Sequence, residues 1–283
     1  MPTEHRLTAW TRTFRATFGA SLRNQLRFYT LRGWMLSTLL GSLMLLASAA
    51  VIAHFVVGGG VPPRFFALTG YPAYLPFAVL GLAANGLVLS ALDDGGTAVY
   101  QEESEGTWDL IALTPMNRFV WMFAKTSAGM TASFVDFALL LGAGTVAFGL
   151  TFTAANLAVA VIGLVFTVVA LQGLGFLFAA AGLYWKQPYA LSMIFGPVFV
   201  FLSGMLFPVQ ALPGWVQAVS NVFPITHGLT ILRDSILLGK GLGELLPAFE
   251  ALAASGAMLM VLGYAAFQVM ERKARARGVM GRY

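Results

Sequence analysis

The chain has 283 residues, of which 58% are hydrophobic and 10% are charged, and its formal net charge is +5. Soluble domains carry charge on about a quarter of their residues, so this composition indicates a membrane protein whose loops are too short to hold a soluble domain. The sequence has no cysteine, which excludes disulfides and thiolate metal sites, and His5, His54 and His227 are too far apart to suggest a metal-binding motif.

Residues 4–31 repeat an apolar side chain at steps of three, four and four, which places these side chains on one face of a helix. They are Leu7, Trp10, Phe14 and Phe18. Nearby arginines fall on other faces. The pattern predicts an amphipathic helix in the cytoplasmic interface of the membrane. The alternative is a tilted extension of the first membrane span.

Six stretches have about the 20 apolar residues that a helix needs to cross the hydrocarbon core. They are residues 33–57, 73–92, 127–150, 157–183, 189–207 and 247–270. Small residues let helices approach closely in lipid. We therefore predict helix packing at Gly41/Ser42, Gly142/Gly144 and Gly173/Gly175.

The distribution of basic residues predicts the orientation of these spans. With the N-terminus inside, all but three of the 17 Lys and Arg residues fall on the inner side, the exceptions being Arg64, Arg233 and Lys240. Positive charge concentrates on the cytoplasmic side of membrane proteins. We expect a multi-pass protein of the cell inner (plasma) membrane with both termini in the cytoplasm.

The segment between the second and third spans, QEESEGTWDLIALTP at residues 101–115, is acidic in a chain with few charges. Asp109 suits the positive end of a helix dipole, Leu110 and Leu113 supply an apolar flank, and Pro115 ends the helix. The pattern predicts a short cytoplasmic helix at 102–114. From these residues alone, a helix that docks in the groove of a partner and a solvated connector are equally good interpretations.

Few polar side chains lie inside the predicted spans. An acid in a span is costly enough to suggest a function, which makes Asp136 a candidate for a hydrated path. The alternative is a hydrogen bond to a neighbouring helix in the core. Asn85 and Gln172 are weaker candidates for the same two roles.

Residues 213–238 lie between the fifth and sixth spans and are too apolar for an ordinary external loop. Pro213 and Pro224 divide them, so two short helices are expected, each shorter than a span. Short apolar helices of this kind are re-entrant or interfacial. The alternative is an external cap without a role in transport.

The chain resembles the ABC-2 type permeases, the membrane subunits of one large group of ABC exporters, over essentially its whole length. Two of these segments carry most of the resemblance, and the N-terminal amphipathic helix is a third and weaker part of it. The first matching residues are Glu102, Glu103, Glu105, Gly106, Thr107, Asp109, Leu110, Leu113, Thr114, Pro115, Arg118 and Lys125. In the family this segment is the coupling helix, which docks in a groove of the ATPase subunit. Ser104 departs from the family pattern, where many members have a charged residue.

The second matching segment is residues 203–238. The residues that carry it are Ser203, Gly204, Phe207, Pro208, Leu212, Pro213, Trp215, Pro224, His227 and Arg233. Asn221 and Pro224 are spaced slightly more widely than the usual Asn-Pro pair. The resemblance implies that Pro213, Trp215, Phe223, Pro224, His227 and Arg233 form an outer gate.

The resemblance also implies a function: the permease subunit of an ATP-driven exporter, with the substrate path formed by a homodimer or by a heterodimer with a related permease. The sequence has no nucleotide-binding loop. The chain is therefore expected to need a separate ATPase subunit, which binds ATP and Mg, and to have no cofactor or catalytic residue of its own. Membrane lipid is an expected partner and nucleic acid is not.

The cargo expected from the aromatic spans is a hydrophobic, drug-like small molecule, or a lipid or lipid-linked molecule. Two other functions stay open at this point. One is a secondary transporter driven by an ion gradient, which predicts paired charges near the membrane midplane. The other is a membrane assembly or sensor component that transports nothing.

Overall fold

A computed structural model describes residues 2–27, 31–56, 63–148 and 156–276, which form helices and turns and include no strand. The all-α class is therefore confirmed. The helices are α1 (Pro2–Arg27), α2 (Leu31–Val51), α3 (Pro63–Thr69), α4 (Tyr74–Ser104), α5 (Trp108–Leu113), α6 (Arg118–Phe148), α7 (Leu157–Trp185), α8 (Pro188–Leu202), α9 (Gly214–Ser220), α10 (Pro224–Leu237) and α11 (Leu242–Ala276). A π-helical turn, Ile52–Val56, continues α2, and a 3-10 turn, Val209–Ala211, precedes α9.

Four helices of the described residues are long and apolar enough to cross a membrane, namely α4, α6, α7 and α11. They correspond to the second, third, fourth and sixth predicted spans. The apolar part of the first predicted span is the shorter helix Leu39–Phe55, and residue 57 lies outside the described residues. Because α8 has 15 residues, it is about 22 Å long. The six-span layout therefore stays a prediction at its first and fifth positions.

Helix α4 is longer than the span predicted at 73–92, because it continues through Asp93 and Asp94 to Ser104. A pair of glycines follows these acids, and their backbones touch α7. A Cβ atom at Gly95 would clash with the backbone of α7. Packing against α7 therefore holds the helical conformation where the sequence suggests an end.

Three other span boundaries differ from the prediction. Helix α6 begins at Arg118 and not at 127, whereas residues 149–150 of that predicted span lie outside the described residues. Helix α11 begins at Leu242 and not at 247, because the Glu244 carboxylate accepts a hydrogen bond from the Gly241 amide at 2.9 Å and caps an extra turn. Helix α8 ends at Leu202 and not at 207. Two residues after this end, Gly204 adopts a φ of +72°, a conformation that favours glycine.

The predicted small-residue packing positions divide into two groups. Gly173 is confirmed, because a Cβ atom there would clash with the backbone of α11, and Gly175 touches the backbone of α4. In the other two pairs, a Cβ atom at Gly41 or Gly142 would meet open space, whereas Ser42 and Gly144 are buried, so the prediction is confirmed at only one position of each pair.

Buried side chains form a large cluster around α4 and a separate aromatic cluster where α5, α6, α7 and α11 meet. Trp108, Trp121, Phe176 and Phe267 are the large side chains of the second cluster. Helix α1 lies along α6 and places the Phe14 ring 6.4 Å from the Phe123 ring. The aromatic cluster therefore forms a fixed base beside α5, the short helix of the candidate site.

Candidate functional site

The C-terminal end of α4 turns sharply into α5 at Gly106, whose φ of +70° is an uncommon conformation for other residues. The amide of Gly106 donates to the Glu103 carbonyl at 3.1 Å, and the amide of Thr107 donates to the Glu102 carbonyl at 2.9 Å. This differs from the single helix predicted at 102–114. Residues 102–104 are the last turn of α4, and α5 is confined to Trp108–Leu113.

Glu102 braces this turn from within. Its carboxylate accepts a hydrogen bond from the Lys125 ammonium at 2.5 Å and another from the Thr107 hydroxyl. Lys125 also lies 5.5 Å from the centre of the Trp121 ring. Bonds between charged, partly buried groups are stronger than neutral ones. Glu102 and Thr107 therefore hold α4, α5 and α6 together, a role that the sequence did not assign to them.

Trp108 anchors the start of α5 in the aromatic cluster. Its side chain is 2% exposed and its ring lies 5.6 Å from that of Trp121. Arg118 lies over the Trp108 ring, donates to the Ile111 carbonyl at 2.8 Å and pairs with Glu271 of α11 at 3.4 Å. A buried aromatic side chain and a buried ion pair thus fix α5 to two long helices.

The opposite side of α5 faces outward and is apolar. Leu110 is 67% exposed and Leu113 is 84% exposed. We define the docking face as these two leucines with the exposed residues Glu105, Thr114 and Pro115. The side chain of Asp109 lies outside the described residues. The arrangement is a short, rigidly held helix that presents an acid and two leucines, which suits insertion into the groove of a partner.

Gln172 is a polar residue of the core and not of a path. It is 1% exposed, its amide donates to the Ser127 hydroxyl at 2.9 Å, and its carbonyl accepts from the Thr126 hydroxyl. These bonds join α7 to α6. Because its polar atoms have partners inside the helix pair, Gln172 is explained by packing.

Asp136 and Asn85 line the same cavity, whose volume is about 200 Å³. Asp136 also lines a larger neighbouring cavity of about 590 Å³. The side-chain oxygen of Asn85 is buried without a hydrogen-bond partner among the described residues. The two residues that we singled out in separate spans therefore meet at one place between α4 and α6.

Two further acids, Asp93 and Asp94, line the larger cavity. The Asp94 carboxylate accepts a hydrogen bond from the Ser90 hydroxyl, and it lies so close to Gly129 that a Cβ atom there would clash with it. Sequence reasoning missed these acids because they follow an apolar run and look like its end. The available signal was the spacing of four residues between Ser90 and Asp94, which places a hydroxyl and a carboxylate on the same face of one helix.

All six predicted outer-gate residues lie in or beside α9 and α10. Pro213 precedes α9, and Pro224 occupies the first position of α10, where proline is favoured. Trp215 is 72% exposed. The Phe223 ring lies 4.8 Å from the Phe199 ring of α8, and the His227 ring bonds the Asn221 carbonyl at 2.9 Å. The structure thus joins Phe223 to α8 and His227 to the turn between α9 and α10.

Arg233 also lies in α10 and is buried, with 5% of its surface exposed. Its guanidinium donates to backbone carbonyls of α4 and of the turn after α8. Burial lowers the pKa of Arg233 to about 9, which still leaves it protonated at neutral pH.

Asp234, the next residue, accepts from the Tyr71 hydroxyl at 2.7 Å and from the Lys240 ammonium at 2.8 Å. Burial and the nearby Asp234 carboxylate raise the pKa of Tyr71, so its hydroxyl stays a donor.

Comparison with known proteins places these two sites within one family pattern. The family model described as ABC-2 type transporter matches residues 95–237, which run from the end of α4 to the end of α10. Nodulation protein J of Sinorhizobium fredii (strain NBRC 101917 / NGR234) is 25% identical over 216 residues, which cover 74% of this chain and 77% of that protein.

Two other relatives have similar identity. Nodulation protein J of Rhizobium meliloti (strain 1021) is 27% identical over 222 residues, covering 73% of this chain and 76% of that protein. The probable multidrug ABC transporter permease YbhR of Escherichia coli (strain K12) is 24% identical over 164 residues, covering 58% of this chain and 44% of that protein.

Proposed function

This chain belongs to the ABC-2 type transporter family and is a transmembrane subunit of an ABC transporter, and we propose that it is the permease of an ATP-driven exporter that works with a separate ATPase subunit. In this proposal the ATPase binds ATP and Mg, and this chain contributes no catalytic residue. Two permease copies, as a homodimer or as a heterodimer with a related chain, enclose the substrate path.

The observation that carries the proposal is the docking face of α5. Leu110 and Leu113 are exposed although Trp108, two residues before the first of them, is buried. A helix of six residues is not stable alone in water, so its fixed position depends on the anchors Trp108 and Arg118 and on the Glu102 brace. A rigid helix that transmits force to long spans fits coupling better than it fits a passive connector.

A row of cavities along α4 supports a substrate path. The cavity nearest α5 has a volume of about 850 Å³ and is lined by Glu102, Glu105 and Asp94. It shares Asp94 with the cavity of about 590 Å³, which shares Asp136 with the cavity of about 200 Å³. We propose that this row, from the docking face to the middle of α4, is the contribution of one copy to the path.

The lining of this row indicates the class of cargo. Its charged residues, which are acids together with Arg23 and Lys125, lie beside apolar walls formed by Leu82, Leu89 and Leu140. A cargo with an apolar body and a polar end satisfies both surfaces, because each polar group of the wall then keeps a polar neighbour. We therefore propose a hydrophobic, drug-like molecule or a lipid-linked molecule. The similarity to YbhR, a probable multidrug ABC transporter permease, is consistent with the first of these.

The orientation follows from the basic residues, with both termini and α5 in the cytoplasm and α9 and α10 outside. Closure of two ATPase subunits on ATP would pull on α5 of each copy. Helices α4 and α6, which the Glu102–Lys125 pair joins, would tilt with it. The path would then open alternately toward the cytoplasm and toward the outside.

The test is reconstitution with an ABC ATPase subunit, chosen as the one that the tagged chain captures from its own cells. We expect the tagged chain to capture the ATPase. We also expect transport to the external side of the membrane, measured in vesicles, to require ATP. A hydrolysis-deficient ATPase subunit is the control, and collapse of ion gradients should leave the rate unchanged. Transport that persists without the ATPase and stops with the ion gradient would refute the proposal in favour of a secondary transporter.

A further inference from the structure

The side chain of Arg233 joins three backbone segments that are distant in sequence. Its Nε and Nη2 atoms donate to the Phe77 carbonyl of α4 at 3.2 and 3.0 Å. Its Nη1 donates to the Gly204 carbonyl at 2.9 Å and its Nη2 to the Met205 carbonyl at 2.8 Å. The guanidinium also lies 3.4 Å from the centre of the Phe77 ring. Helix α10 is therefore bonded to the first turns of α4 and to the turn that follows α8.

The geometry of this clamp requires an arginine and a nearby glycine. The planar guanidinium presents donors in a fixed fork, whereas a lysine ammonium is a compact charge that cannot reach the same three carbonyls in that geometry. A Cβ atom at Gly81 would clash with the Met205 carbonyl and with Arg233 Nη2. Buried carbonyls that lose their donors cost free energy, so the three segments stay together while the fork is intact.

Helix α4 continues without interruption from this clamp to the coupling site. Phe77 and Glu102 are separated by about 25 helical residues, or about 38 Å. At its far end the Glu102 carboxylate bonds Lys125 and Thr107. Between the ends, glycine-mediated backbone contacts hold α4 against α7. The same helix therefore carries the outer clamp at one end and the brace of α5 at the other.

The two residues after Arg233 extend the connection to other outer segments. Asp234 bonds Tyr71, just before α4, and Lys240, just before α11. The Ser235 carbonyl accepts from the Asn156 amide at the start of α7, at 2.8 Å. The end of α10 is thus the point at which the outer ends of α4, α7 and α11 are joined.

We infer that Arg233 is a positioning residue that makes the outer gate helix α10 move with α4, so that movement of the coupling site reaches the outer gate. This inference rests on the proposed function. It assigns to Arg233 a mechanical role and removes it from the lining of the gate. Loss of the fork should uncouple the gate from ATP binding while the ATPase continues to hydrolyse ATP.

The experiment follows the gate with a single reactive thiol in the reconstituted complex with the ATPase. Val222, which lies between α9 and α10 and is 42% exposed, is replaced as Val222→Cys in a chain that has no other cysteine. The rate of labelling by an external, membrane-impermeant maleimide is measured with and without ATP, and ATP hydrolysis is measured in the same samples. Arg233→Gln, Arg233→Lys and Gly81→Ala are then compared with the controls Gly142→Ala, where a Cβ atom meets open space, and Arg64→Gln, which removes an exposed positive charge.

We expect the unchanged complex and both controls to show an ATP-dependent labelling rate, and Arg233→Gln and Gly81→Ala to lose that dependence while they retain ATP hydrolysis. Arg233→Lys should not restore it. Retained ATP dependence in Arg233→Gln would overturn the inference. The inference would also be overturned if the labelling response and ATP hydrolysis both fell in proportion to the amount of folded complex, because a purely structural role predicts that result.

If Arg233→Gln does not assemble, Gly81→Ala decides by the same criteria. If the complex that keeps Arg233 and Gly81 shows no ATP-dependent labelling, or if the permease does not bind the ATPase, the proposed function itself is refuted. The two failures are therefore distinguishable.

Discussion

Replacing both leucines of the docking face by serine should weaken binding of the ATPase subunit without unfolding the permease. Full burial of a leucine side chain stabilises by about 1.5 to 3 kcal/mol. Leu110 is 67% exposed and Leu113 is 84% exposed in the free chain, so most of that stabilisation becomes available only on docking. The double variant should lose about 2 to 4 kcal/mol of binding free energy, which is about 30- to 700-fold in Kd.

The affinity is measured with detergent-solubilised or nanodisc-embedded permease and the purified ATPase subunit. Thermal unfolding of the same preparations is the control for fold, because exposed substitutions change stability by only about 0.5 kcal/mol. Leu242→Ser is the matched control, since Leu242 is 50% exposed at the opposite end of the molecule. Trp108→Ala gives the contrasting result, a lower unfolding temperature, because it removes a buried anchor and costs about 3 to 5 kcal/mol.

An unchanged Kd in the double variant would refute the docking interpretation, because in that interpretation the two exposed leucines supply the main apolar contact with the ATPase. Equal losses of affinity in the double variant and in Leu242→Ser would refute it as well, since the effect would then not be specific to the docking face.

Three further predictions concern the coupling turn, the cavity and the outer gate. The purified chain should not hydrolyse ATP, and Gly106→Pro should weaken ATPase capture because proline cannot adopt the φ of +70°; Glu105→Lys should do so by charge reversal, and robust hydrolysis by the chain alone would contradict this. Asp136→Leu should change the transport rate in vesicles while surface expression stays the same, and normal transport would return Asp136 to a packing role. Phe223→Cys or His227→Cys should cross-link between two copies or change its reactivity when ATP binds, and equal labelling in every nucleotide state without a cross-link would mean that α9 and α10 are only a cap.

The outer gate shows what a residue pattern leaves undecided. The sequence located two short helices around Pro224, because proline at the first helical position and apolar residues after it are local signals. Arg233 was grouped with the gate through the resemblance to the ABC-2 type permeases. The structure buries Arg233 against carbonyls of Phe77, Gly204 and Met205, residues about 28 to 156 positions away, and no local pattern reports a bond over that distance.

The coupling segment shows the same division at shorter range. Its place between two spans, its acids and its end at Pro115 were readable from the sequence. Which side of it faces outward was not, because the Glu102 carboxylate turns inward and accepts from Lys125 and from the Thr107 hydroxyl while Leu110 is exposed. The sequence shows which side chains of a segment can donate or accept hydrogen bonds. Only the fold shows that α6 supplies Lys125 as the partner of Glu102.

The sequence by itself determined the helical membrane class and four of the spans, since an apolar run in lipid must satisfy its backbone hydrogen bonds internally and a helix does so within the run. The tertiary structure decided where α4 ends and which polar groups lie inside. Helix α4 passes through Asp93 and Asp94 because glycines bring α7 close and Gly129 leaves room for the Asp94 carboxylate. Such charges are tolerated where neighbouring helices supply partners and space, and those neighbours come from distant parts of the chain.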